Sequence, residues 1–210
     1  MKNSLKHIIT SMGFSFLCYY PPQFVLKNTK ELSLEILISI LGSVLVLHNQ
    51  GPIKPQKKMK DKGSALIILS ITFLSQMLAS AENAIQQSLN ENVTAMGLSL
   101  VFLGLYIRIW SVLILGSNFN THILQKEEGK LITVGLYKII RHPSYLGAYM
   151  FFVGNCLMLN SYYSLIASLI LLFFAYNYRI KIEEKELISY FKQEYIKYKN
   201  ESWCMIPYLY

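Results

Sequence analysis

Charged residues are scarce in this chain. They make up 15% of its 210 residues, against 53% hydrophobic, and the mean hydropathy is positive at +0.34. A water-soluble domain of this size carries more polar surface, so the composition points to a membrane protein. Cysteine is also sparse. Cys18, Cys156 and Cys204 share no CxxC-like spacing, which leaves neither a disulfide framework nor a zinc site supported. Cys156 lies in an apolar run and reads as a small buried residue. No Gly-rich phosphate loop, GxSxG elbow or metal motif occurs. Strands do not alternate with helices, which excludes a soluble nucleotide-binding fold. The net charge of +8 is scattered between apolar segments rather than gathered on one face, which argues against nucleic acid. In a membrane protein such an excess belongs to cytosolic loops facing anionic headgroups.

What the chain does have is apolar runs, at residues 32–47, 65–79, 94–115, 145–159 and 163–178. A sixth, less apolar, covers residues 5–20 and is expected to stop at Pro21-Pro22, as a first span or an interfacial helix. Lys2 and Lys6 before it resemble a signal-peptide n-region only loosely, since no small-residue cleavage site precedes Pro21. The loop HNQGPIKPQKKMKDKGS holds five lysines and reads as cytosolic; AENAIQQSLNEN has two glutamates and no Lys or Arg, which suits the outer face. Carried along the chain, this alternation puts the polar stretch 116–145 inside, makes 145–178 a hairpin turning at Asn160-Ser161, and returns the tail to the inside. The expectation is an all-α polytopic membrane protein with five or six transmembrane helices, a C-terminal helical hairpin and an amphipathic tail helix over residues 180–199. Leu187, Ile188, Phe191, Tyr195 and Tyr198 recur there at three- and four-residue steps. Residues 1–93 form the N-terminal helices and residues 94–210 the catalytic region.

Pro143 is well placed for a helix's first turn, and the residue before a proline avoids the helical region, so a helix starts near Pro143. Its free amides and positive dipole end favour an anion, and Arg141 adds positive charge beside them. A membrane-interface Arg and His marking a helix start explains the same residues without function. Arg179 and Glu183, four apart, share a helix face; alone they are an ordinary pair worth about 0.3–0.5 kcal/mol, and Glu183-Glu184 between lysines could be a solvated face. The hairpin, however, brings Arg141-His142 and Arg179-Glu183 to similar depth on adjacent helices. That set could hold a zwitterion, Arg and N–H donors taking a carboxylate and Glu an ammonium. Arg108 lies inside the 94–115 run, where a charge at mid-bilayer costs about 2.5–3.5 kcal/mol. It either snorkels or serves substrate binding. His7 and His48 read as structural, and His122 has no ligand-like companions.

These stretches resemble the isoprenylcysteine carboxyl methyltransferase family over residues 96–198. GSNFN at 116–120 followed by Gln125, LITVGLYKIIRHPSYLG at 131–147 and RIKIEEKELISYFKQEYIKY at 179–198 occur in the family's order. The resemblance implies S-adenosyl-L-methionine as cofactor, contacted by Gln125, Gly129, Lys130, Leu131, Ile132, Tyr137, His142, Pro143, Ser144, Tyr145 and Glu183. It implies substrate binding by Arg179, with Arg108 a further candidate, and methyl transfer to the carboxylate of a C-terminal prenylcysteine, carried by Arg179 and Glu183. A carboxylate is already nucleophilic at neutral pH, so catalysis is alignment of donor and acceptor. The implied partners are prenylated protein C-termini or prenylcysteine amphiphiles, with membrane lipid around them and no nucleic acid or metal. The implied site faces the cytosol, in the endoplasmic reticulum of a eukaryote or the inner membrane of a bacterium. Gly129-Lys130 lack the histidine of the family's eukaryotic branch, and the loop before them is a residue shorter. Two rival enzymes are a phospholipid N-methyltransferase, which would not need Arg179, and an NADPH-dependent membrane sterol or enone reductase, against which Ala148 after Gly147 counts. A non-enzymatic adaptor would leave Arg108, Arg141 and Glu183 as costly charges without a purpose.

Overall fold

The computed structural model describes residues 2–27, 33–48, 63–85, 90–116 and 131–208. Its long elements are helices: α1 Lys2–Lys27, α2 Leu34–His48, α3 Ser64–Ile85, α4 Glu91–Leu115, α5 Pro143–Met158, α6 Tyr162–Phe191 and α7 Gln193–Glu201, with a 3₁₀ turn at Gly135–Lys138. The described residues hold no strand, only one isolated bridge between Ile140 and Trp203. The all-α expectation is borne out. By length and composition α3, α4 and α6 can cross a membrane, and α2 has a shorter apolar stretch, Leu34–Leu47. Large apolar side chains point away from the bundle, Leu113 73% and Phe174 65% exposed, as lipid-facing residues do.

Several boundaries differ from the expected ones. Helix α1 does not stop at Pro21-Pro22 but runs through both to Lys27. Each proline removes a backbone donor, and neighbouring helices in a membrane bundle can compensate. On either side of the two prolines α3 also holds α1: Ser80 Oγ donates to the Tyr19 carbonyl at 2.8 Å, and Gln23 Nε2 donates to the Ser80 carbonyl at 2.9 Å and to Asn83 Oδ1 at 3.1 Å. Helix α6 does not end near Tyr178 but continues for 30 residues. The amphipathic tail is therefore no single helix over 180–199; it breaks at Lys192, whose φ of 50° and ψ of −122° leave the helical region. Helix α3 also extends past Ala79 to Ile85 and α4 starts at Glu91, capped by Asn90 accepting from the amides of Asn92 and Val93.

Helices α4 and α5 approach through glycine. A Cβ on Gly104 would lie 2.6 Å from Phe151 N, and one on Gly147 2.6 Å from Arg108 N. Small residues thus let the two backbones touch, a common way of packing helices where lipid offers no hydrophobic drive. Asn155 of α5 knots the inner layer. It donates to Tyr19 Oη of α1 at 2.6 Å and Gln76 Oε1 of α3 at 3.0 Å, and accepts from Ser39 of α2 at 2.7 Å. At the hairpin's turn Asn160 has a φ of 57°. It donates to Thr94 at 2.7 Å, while Glu82 of α3 accepts from the first amides of α6, Tyr163 and Ser164, at 3.2 and 3.1 Å. A carboxylate there complements the helix dipole.

Candidate active site

The hairpin ends where the sequence placed its chemistry. Pro143 occupies the first helical position of α5, with His142 as its cap. One turn on, Tyr145 Oη donates to Glu183 Oε2 at 2.7 Å, so the start of α5 and the far part of α6 do meet at one depth. The Tyr145 ring stacks on His142 at 5.6 Å and tilts against Tyr176 at 5.5 Å. His142 is buried, and its Nε2 has no hydrogen-bond partner among the described residues.

Arg179, one turn before Glu183 on α6, is 7% exposed, and its guanidinium donates to Ser64 Oγ of α3 at 3.0 Å. Arg108 is 3% exposed. It does not snorkel: it donates to the carbonyl and hydroxyl of Ser144 and, at 3.4 Å, to the Val46 carbonyl of α2. Tyr137 in the 3₁₀ turn is buried, and burial together with the nearby charge of Glu183 pushes its phenol above the usual value while Arg108 pulls the other way. Both charged groups therefore stand close to Tyr137. Leu131 and Ile132 are partly exposed in the segment leading to that turn. Gln125, Gly129, Lys130 and His122 lie outside the described residues, as do the side chains of His7 and His48.

Arg141 is the residue the sequence misplaces. Its guanidinium turns away from the start of α5, donating from Nε to Glu184 Oε1 at 2.8 Å and from Nη1 to the carbonyls of Lys199, at 3.0 Å, and Ser202. Burial works against its charge, but the hydrogen bond and charge of Glu184 more than offset that. Glu184 is no part of a solvated face: it is buried and also accepts from Lys199 Nζ at 2.6 Å. Beyond α7 the tail runs alongside residues 139–142, with Arg141 N donating to Trp203 O at 2.8 Å, His142 N to Cys204 O at 3.0 Å and Trp203 N to Ile139 O at 2.9 Å. Burial lifts the Tyr198 hydroxyl to about 12, so it stays protonated and donates to the Tyr137 carbonyl at 2.5 Å. No local spacing announces these contacts, since Glu184–Lys199 joins positions 15 apart and the rest join positions 43 to 64 apart in sequence.

Comparison with known proteins follows the same boundary. Residues 96–189 match the isoprenylcysteine carboxyl methyltransferase family. The protein-S-isoprenylcysteine O-methyltransferase of Saccharomyces cerevisiae is 37% identical over 118 residues, 55% of this chain and 49% of its own. That of Tribolium castaneum is 34% identical over 116 residues, 54% of this chain and 41% of its own. The Schizosaccharomyces pombe enzyme is 27% identical over 187 residues, 88% of this chain and 70% of its own. Over the first two matches the chain thus spans about half, or less, of the curated relatives' length. A solved structure of the eukaryotic intramembrane Ras methyltransferase ICMT superposes with a TM-score of 0.60 at 22% identity, covering 94% of this chain and 71% of that one, which is a likeness of fold. The resemblance read from the three motifs is borne out: from residue 96 to residue 189 this chain is similar to the isoprenylcysteine carboxyl methyltransferases, and its helical membrane fold is theirs.

Proposed function

We propose that the chain methylates the C-terminal carboxylate of prenylcysteine, using S-adenosylmethionine and forming a methyl ester, with residues 94–210 as the catalytic region. The observation that carries this reading is the Tyr145–Glu183 contact of 2.7 Å beside buried Arg179, on the two helices of one hairpin. Likeness to enzymes named for this reaction supports it. The donor set fits the cofactor. Glu183 offers a carboxylate to an ammonium, and the free amides at the start of α5 offer donors to a carboxylate. S-adenosylmethionine, when bound, supplies a methyl group on a sulfonium, so no metal or strong base is required.

The residues then divide the work. Glu183, oriented by Tyr145, Pro143 at the helix start and the Leu131–Tyr137 side hold the cofactor; the family resemblance adds Gln125, Gly129 and Lys130 as contacts. Arg179, fixed by Ser64, binds the substrate carboxylate, and Arg108 fixes Ser144. Alignment of acceptor and donor in a low-water pocket is the main catalytic contribution. The basic tail and the lysine-rich 48–64 loop support a site on the cytosolic side, of the endoplasmic reticulum in a eukaryote or the inner membrane in a bacterium. Membranes containing the protein, given labelled S-adenosylmethionine and acetyl-farnesylcysteine, should yield base-labile methyl. Label in lipid with no ester above background would sink the proposal in favour of a phospholipid N-methyltransferase.

A further inference from the structure

Consecutive residues of a helix point about 100° apart, and Glu183 and Glu184 use that divergence. Glu183 meets Tyr145; Glu184 enters the seam between α6, residues 139–142 and the tail. Its two oxygens are divided between cations, Oε1 lying 2.8 Å from Arg141 Nε and Oε2 2.6 Å from Lys199 Nζ, and His142 Nε2 stands 3.6 Å from Oε1. Arg141 continues to the carbonyls of Lys199 and Ser202. The bonds to Trp203 and Cys204 close the same seam from the backbone side. All of these contacts but Glu184–Lys199 fall on the short segment that leads into α5. That segment ends in His142, whose ring stacks on Tyr145.

We infer that Glu184 is a positioning residue for cofactor binding: together with Arg141 and Lys199 it clasps the tail to residues 139–142 and so fixes where His142 and Tyr145 stand. This rests on the methyltransferase reading of the neighbouring site. The carboxylate is needed as a charge. Without it Arg141 would be left half-buried beside Lys199 with no counter-charge, and an uncompensated charge of that kind rearranges its surroundings. A metal centre is the competing use of the same groups, since atoms of His142, Glu184 and Cys204 lie within 4.8 Å of one another. A metal cation there would face the guanidinium and ammonium that already occupy both Glu184 oxygens, and like charges at such distances repel strongly.

The test uses the intact protein in nanodiscs, with acetyl-farnesylcysteine and S-adenosylmethionine each varied in turn. For Glu184→Gln the KM for S-adenosylmethionine should rise about tenfold, while the KM for the prenylcysteine stays within twofold. Adding Arg141→Gln to that variant should recover part of the lost affinity, because the stranded charge is gone. A cofactor KM within twofold of the unmodified protein would overturn the inference, as would both KM values rising together, the mark of general loosening. Stoichiometric zinc in the purified protein would overturn it too, by making Glu184 a metal ligand. If Glu184→Gln does not accumulate, Lys199→Met at the exposed end of the clasp takes its place: a rise of about threefold in the cofactor KM supports the clasp, and no change refutes it. Should the unmodified protein bind S-adenosylmethionine yet never esterify prenylcysteine, the substrate reading fails alone, and the loss of cofactor binding in Glu184→Gln still decides the clasp.

Discussion

Glu183 and Glu184 are neighbours in sequence, yet one is proposed for a ligand site and the other for a joint. Their separate roles give the sharpest tests at the scale of single residues. Glu183→Ala should abolish cofactor binding, read by equilibrium binding of labelled S-adenosylmethionine, while the melting temperature without cofactor stays close to that of the parent. Unchanged affinity would remove Glu183 from the site. Tyr145→Phe deletes one hydroxyl that donates to that carboxylate. Hydrogen bonds to charged groups are worth about 1.5–3 kcal/mol, so cofactor affinity should fall roughly tenfold or more in the same assay. Arg179, Glu183 and His142 were legible in the sequence because a four-residue spacing and a tight hairpin are local facts. Glu184, Arg141 and Ser64 were not. Arg141 finds its counter-charge 43 positions away, and Arg179 its hydroxyl 115 positions away, which no periodicity encodes.

Helix starts were easier to read than helix stops. Pro143 marked the beginning of α5 through fixed backbone chemistry. The double proline in α1 and the change of composition near Tyr178 both suggested ends, and tertiary packing overrode both. The break at Lys192 carries no sequence signal, because lysine is a poor occupant of its conformation. Gly116 after α4 has φ 50° and ψ −124°, nearly the same as Lys192, so one backbone geometry holds a glycine at one helix end and a lysine at the other. Glycine enters that region without steric cost. Lys192→Gly should therefore stabilise the protein by about 1 kcal/mol, relief of backbone strain outweighing glycine's greater freedom in the unfolded chain, seen as a higher melting temperature in detergent. The α4–α5 contact makes the opposite prediction. Gly104→Leu would drive a side chain into the Phe151 backbone, and the melting temperature should drop by several degrees, since overpacking costs about 1–3 kcal/mol or more.

At the scale of the molecule, the number and kind of helices followed from hydropathy, and the hairpin followed from the turn at Asn160. How the N-terminal helices dock did not follow, because the glue is polar: Tyr19, Ser39, Gln76 and Asn155 are all buried and bonded across four helices. Such residues look unremarkable in an apolar run until their partners are known. Asn155→Ala removes three of the bonds that tie these helices together, to Tyr19, Ser39 and Gln76, and should lower stability by about 1–3 kcal/mol, measured by denaturation in detergent.

Helix α6 is a single piece of 30 residues, about 45 Å long, whereas a bilayer's hydrocarbon core is about 30 Å thick. Its first turn is held by Glu82, and its second half carries Arg179, Glu183 and Glu184. A stiff rod fixed at one end and bearing ligand groups at the other works as a gauge of membrane thickness. Lipids that are too thin or too thick would tilt it and shift Glu183 against Tyr145, so turnover in vesicles graded by acyl-chain length should peak at one thickness and fall on either side.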